Sequence, residues 1–246
     1  MPRPWILLLL LLFFLSACGG GESRVLTIAA AANLQGPLDD LTGAFTAQTG
    51  IPTKTVLASS GKLTAQLRAG APYGLFLSAD ERYPELLAAA GLTRGAPVPY
   101  ARGRLILWTT TAGVPPAADS LRSARIQRIA LANPTTAPYG RATLDWLRGR
   151  GLDTLLAEKL VYGESIGQAN QFVYTGAAEV GFTANSTVYG VDKFHRWAEV
   201  PDAPDIVQTG VVMRGPQEED ARRFRDFLLS PAGQAILRRY GYLAAE

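Results

Sequence analysis

Ser59 and Ser60 end an apolar run (Pro52 to Ala58) and stand before Gly61, Lys62 and a helical pattern carried by Leu63 and Leu67. A strand feeds a helix start there. The first N–H groups of a helix have no intrahelical acceptor and carry partial positive charge, so hydroxyls placed at that end make a site for a small anion. Two other chemistries use similar residues. Ser59 and Lys62 match the S-x-x-K spacing of a serine acyl-hydrolase, in which a lysine one helical turn on serves the nucleophile, but no S-D-N and no K-T-G follows downstream. A nucleotide phosphate loop needs Gly where Val56 stands and Ser or Thr where Leu63 stands. Serine is also an ordinary helix cap, so one such turn says little. This chain has four of them.

The turns fall between strands and helices in alternation. Arg24 to Ala31 reads as a buried strand, and Asn33 follows where an N-cap belongs, before Leu34, Leu38, Leu41 and Phe45 at helical spacing. After the Ser59-Ser60-Gly61 turn, Leu75 to Ser78 is a short apolar run, and Asp80 is expected to cap a helix through Leu86 and Leu87. Arg104 to Thr109 reads as a strand crossing into a second domain. There Ile129 to Ala132 is a strand, and Asn133 to Gly140 is a turn opening a helix with Leu144 and Leu147. The fourth unit is a strand from Lys159 to Tyr162, a turn from Gly163 to Gly167, and a helix from Gln168 to Thr175 with Phe172 inward. Val180 to Thr183 reads as a strand, and Ala184 to Lys193 carries no clear pattern. Ile206 to Met213 is apolar enough to cross back, and helices with Phe224, Phe227, Leu228, Ile236, Leu237 and Tyr240 end the chain on the first domain. The pattern predicts an α/β protein of two lobes, each a mostly parallel sheet flanked by helices, with the ligand cleft between them. Residues 25–103 and 208–246 form lobe I, and residues 104–207 form lobe II.

At 246 residues and 48% hydrophobic content the chain can bury one large core or two smaller ones. The formal net charge of +3 is no nucleic-acid or polybasic membrane signature. One Cys and one His exclude a structural disulfide and a Cys/His zinc site, and no cofactor is expected. Residues 1–17 read as an export signal, with Arg3 in the n-region, Ile6 to Leu15 as the h-region and Ser16-Ala17 before the cleavage point. Leu15-Ser16-Ala17-Cys18 resembles the bacterial lipoprotein box, which implies cleavage before Cys18 and acylation of that residue. Residues 18–24 then form a lipid-anchored tether, and the protein is expected in the periplasm or at the cell surface, held to the membrane through Cys18.

Several segments together resemble a family. Ala29-Ala30-Ala31-Ala32-Asn33-Leu34, Ala58-Ser59-Ser60-Gly61, the stretch Gly70 to Asp80, Asn133-Pro134 with Pro138-Tyr139-Gly140, and Arg239-Tyr240-Gly241-Tyr242 are similar, in the same order, to the molybdate-binding proteins of ABC importers. The resemblance implies the type II periplasmic-binding-protein fold, molybdate or tungstate held between the lobes by neutral donors, delivery to ABC permease subunits, and no enzyme activity. A monomer is expected. By position it puts Ala32, Asn33, Ser60, Tyr139 and Ile166 at the oxyanion, with hydroxyl, amide or backbone N–H as donor and no direct cation ligand. Some members of the family have a hydroxyl where this chain has Asn33, and some a Tyr where it has Ala184. Ser59 either braces its turn or binds. Lys62 is a solvated helix residue or a source of positive potential at the cleft mouth, and His195 has no assigned role. The alternative is the same fold with sulfate, thiosulfate or phosphate. Phosphate, partly protonated near neutral pH, needs an acceptor that donor-only turns lack.

Overall fold

In the computed structural model, which describes residues 25–188 and 196–245, the apolar runs assemble into two sheets. The chain begins with β1 (Leu26–Ala31), α1 (Gln35–Thr49), β2 (Thr53–Ala58), α2 (Ser60–Arg68), β3 (Leu75–Ser78), α3 (Arg82–Ala89) and β4 (Val98–Gly103). It continues through β5 (Leu105–Trp108), β6 (Ile129–Ala132), α4 (Pro138–Gly149), β7 (Leu160–Gly163), α5 (Ile166–Tyr174), β8 (Val180–Ala184) and β9 (Trp197–Glu199). It returns in β10 (Ile206–Val212) and ends with α6 (Glu218–Leu229) and α7 (Pro231–Arg239). Cys18, the export signal and the tether lie outside the described residues, as does His195. Among the described residues no helix is long and apolar enough to cross a membrane.

The strand orders are β2-β1-β3-β10-β4 and β7-β6-β8-β5-β9. In the first, β1 pairs in parallel with β2 and β3, while β10 runs antiparallel to β3 and β4. In the second, β6 pairs in parallel with β7 and β8, while β5 runs antiparallel to β8 and β9. The reversed strand in each sheet is the one that has just arrived from the other lobe. Only Arg104 separates β4 from β5, so the chain passes almost directly from one sheet into the next. The chain returns to the first sheet in β10, which begins at Ile206.

Helices cover both faces of each sheet, which is why β3, β5, β6 and β8 are buried along their whole length. Alternate residues of β1 serve different layers. Leu26, Ile28 and Ala30 pack with Leu38, Phe45, Phe224 and Leu237, whereas Ala29 packs with Leu63, Phe76 and Leu87. The terminal helices thus close the first lobe, with Phe45 and Phe224 in edge contact at 4.9 Å.

Two strands have no clear sequence signal. β4 carries Pro99 and Arg102, and it is accommodated because it is an edge strand whose register with β10 shifts between Gln208 and Thr209, opposite Pro99. β9 is a three-residue edge strand. Helix α5 starts at Ile166, earlier than its hydrophobic pattern suggests, because Ser165 caps it by accepting the Gln168 N–H.

Candidate functional site

Ala32, Asn33, Ser60, Tyr139 and Ile166 come from four separate turns, and all five line one cavity between the lobes, together with Ser59 and Ala79. Each turn follows the carboxyl end of a strand: β1, β2, β6 and β7 respectively. The cavity volume is about 10 Å³, room for one compact group and not for an extended organic solute. Larger hollows lie elsewhere, one of about 350 Å³ beside Tyr73 and Met213 and one of about 480 Å³ along the lobe seam beside Arg150 and Asp202. None of the four turn donors opens into the first.

The donors differ in kind. Ser60 is fully buried, and its hydroxyl accepts the Ala79 N–H at 3.1 Å, so its own proton remains for donation. Pro138 occupies the start of α4 and has no N–H, which makes Tyr139 the first residue of that helix able to donate. In α5 the Ser165 cap takes the Gln168 N–H at 3.4 Å, and the N–H of Ile166 opens the helix ahead of it. The lining carries no charged side chain. Its polarity is that of N–H and O–H dipoles, which suits a fully deprotonated anion and measures its size.

Asn33 departs from expectation. It lies inside a single 3₁₀ turn, Ala32–Leu34, and caps no helix. That turn carries its side chain inward, where Nδ2 donates to Gln208 Oε1 at 2.8 Å and to the Tyr242 hydroxyl at 2.6 Å. Both amide protons are committed there, so what Asn33 presents to the cavity is its backbone. Ser186 Oγ, from the second lobe, donates to the Asn33 carbonyl at 2.8 Å.

Tyr139 is likewise a backbone contributor. Its hydroxyl is buried against Gly103 at the β4–β5 crossing, and a Cβ on that glycine would collide with it. Burial pushes its phenol well above the ordinary tyrosine value, as do the neighbouring Tyr242 and Asp205. Tyr100 and Tyr242 are raised for the same first reason, burial, and Tyr139 and Tyr242 each lie close enough to Tyr100 to raise it further.

Ala184 does not line the cavity: it is fully buried opposite Leu105 in the second sheet. Lys62 does not line it either. Its side chain is half exposed and pairs with Glu164 of the other lobe at 3.2 Å, so its ammonium is engaged and does not stand over Ser59 as a base. Asp80 does act at the start of α3, where Oδ1 accepts the Tyr83 N–H at 3.3 Å, and its second oxygen pairs with Arg141 across the seam. Among the described residues no group of three or more His, Cys, Asp or Glu could hold a metal ion. Sequence reasoning missed Gln208, Ser186 and Arg141. Asn33 meets Gln208 across 175 positions and Tyr242 across 209, a proximity that no local pattern encodes.

The model of the family described as bacterial extracellular solute-binding protein matches residues 26–243. The molybdate-binding protein ModA of Azotobacter vinelandii is 36% identical over 222 residues, covering 87% of this chain and 88% of that protein. The ModA of Rhodobacter capsulatus is 34% identical over 218 residues, covering 87% and 86%. The solved structure of the Azotobacter vinelandii periplasmic molybdate-binding protein superposes with a TM-score of 0.85 at 33% identity, covering 90% of this chain and all of that one.

Proposed function

This chain belongs to the bacterial extracellular solute-binding protein family, and from that premise we propose that it captures molybdate, and tungstate with it, by closing two lobes, then delivers the oxyanion to an ABC permease. The observation that carries the reading is the convergence of Ala32, Asn33, Ser60, Tyr139 and Ile166 on one small cavity without a charged wall. A helix N-terminus contributes up to about 2 kcal/mol to a partly buried anion, and a hydrogen bond to a charged group about 1.5–3 kcal/mol. Several of these, less the cost of ordering ligand and lobes, reach the roughly 8–12 kcal/mol of a micromolar to nanomolar site. Both lobes contribute donors, so ligand favours the closed state by differential contact, with the crossings at Arg104 and at residues 200–205 as hinges.

Calorimetric titration of the purified protein with molybdate, tungstate, sulfate and phosphate in separate runs tests this. Tight one-to-one binding of the first two with little response to the others supports it, and tight binding of sulfate or phosphate instead overturns the choice of ligand. Ser60→Ala removes the one side-chain hydroxyl argued to donate, and it is expected to weaken molybdate binding by roughly 1–3 kcal/mol. Unchanged affinity in a folded variant takes Ser60 out of the site.

The membrane anchor is the second part of the reading. The Leu15-Ser16-Ala17-Cys18 box supports a lipoprotein processed at Cys18 and working outside the cytoplasm. Cys18→Ser is expected to move the protein from the membrane fraction to the soluble fraction of fractionated cells. Retention of the variant in the membrane fraction rejects the anchor.

A further inference from the structure

The two lobes meet backbone to backbone beside the cavity. The N–H of Gly61, in the first turn of α2, donates to the Thr136 carbonyl of the second lobe at 2.8 Å. Ser60, immediately before, lines the cavity from one side, and Tyr139, three residues after Thr136, lines it from the other. This hydrogen bond holds the two turns in direct backbone contact, alongside the side-chain bond from Ser186 to the Asn33 carbonyl. A Cβ on Gly61 would lie 2.9 Å from the Thr136 oxygen and 3.0 Å from its Cα, neither of which can rotate away. It would also lie 2.7 Å from the Tyr83 hydroxyl, itself held in the seam by donating to the Thr135 carbonyl at 3.1 Å.

Gly61 sits within a helix, where backbone conformation makes no demand for glycine and alanine is ordinarily preferred. Within the first lobe such a Cβ would meet the Tyr83 hydroxyl, the far end of a side chain that can move, whereas the second lobe meets it with backbone. The ion pairs that also cross the seam, Lys62–Glu164 and Asp80–Arg141, are made by side chains that can readjust. We propose that Gly61 is the positioning residue that sets the width of the closed cavity: its bare backbone lets the lobes approach until the donors of both reach one oxyanion. This rests on the oxyanion reading of the cavity.

The test compares the purified protein with Gly61→Ala by molybdate calorimetry, ligand-free thermal melting and small-angle scattering with and without molybdate. The variant is expected to lose roughly ten- to hundredfold in affinity, the size of an overpacking penalty. Its ligand-free melting temperature should be unchanged or raised, and its saturated form should stay less compact than saturated wild type. Gly61→Ala combined with Tyr83→Phe should keep the defect, because the Thr136 backbone still stands in the way. Wild-type affinity and full compaction in Gly61→Ala overturn the proposal, as does rescue by the double variant, which would place the obstruction at the tyrosine. A lowered ligand-free melting temperature overturns it too, by showing that the lobe's own fold needs the glycine. If wild type binds no oxyanion, the functional reading fails first and the proposal with it.

Discussion

Raising the pH from 10 to 11 is expected to destabilise the folded protein by about 3 kcal/mol, because three buried phenols hold their protons while those of the unfolded chain let go. Tyr100, Tyr139 and Tyr242 are each at most 2% exposed. Burial is the largest cause of the upward shift in all three. The sign follows from proton counting. Above pH 10 the unfolded state has lost protons that the folded state retains, so stability falls as pH rises, with a slope that approaches about 1.4 kcal/mol per pH unit for each phenol. Below about pH 9 both states keep these protons and the effect vanishes. Nine tyrosines contribute phenolate absorbance, so the check is on the part that belongs to the buried three, which should appear only together with loss of the near-ultraviolet circular dichroism. Complete phenolate formation while the tertiary signal persists would mean that the rings are not sealed.

These tyrosines carry functional weight through their contacts with the cavity lining and the strands behind it. The Tyr242 hydroxyl receives an Asn33 amide proton at 2.6 Å, Tyr100 donates to the Ser78 carbonyl at 3.2 Å, and Tyr139 presents its backbone to the cavity while its ring rests on the lobe crossing at Gly103. Alkaline loss of these contacts should therefore abolish oxyanion binding in the same transition.

The sequence made the donor turns legible because each is a local event. An apolar run that ends in Ala-Ser-Ser-Gly or in Asn-Pro before a helical pattern announces a strand-to-helix turn whatever the rest of the chain does. β1, β3 and β6 are equally plain, being short runs of apolar residues buried on both faces. What could not be read is what depends on distant partners. β4 looks like a loop because it holds Pro99 and Arg102, and only its edge position beside a shifted β10 makes it a strand. Asn33 looks like a cap because asparagine after a strand usually is one; its actual partners, Gln208 and Tyr242, arrive from the far end of the chain. Gly61 reads as ordinary turn chemistry until Thr136 is placed against it.

Asn33→Asp is expected to weaken molybdate binding by roughly 4 kcal/mol near neutral pH, about a thousandfold, while changing almost nothing in shape. The side chain is 1% exposed and the residue lines the cavity, so the substitution sets a carboxylate beside the space proposed for a dianion. At a separation of roughly 8 Å and an effective dielectric constant of about 20, the repulsion between one and two charges has that size. The introduced carboxylate would also lack both protons that Asn33 gives to Gln208 and Tyr242. The Tyr242 hydroxyl can reverse and donate, which lets the fold survive, whereas Gln208 already directs its amide nitrogen to the Ile206 carbonyl at 2.8 Å. Burial raises the pKa of such a carboxyl above its unfolded value. Its penalty is therefore present above the folded pKa and relieved as pH falls through it, so the variant's stability and its molybdate affinity should both improve on acidification from pH 8 to pH 6. Calorimetry at the two pH values, set beside wild type, measures this. Wild-type affinity at pH 8 in a folded Asn33→Asp variant would place the oxyanion away from the 3₁₀ turn, whereas a loss that does not recover on acidification would trace the defect to the broken Gln208 and Tyr242 contacts instead of to charge.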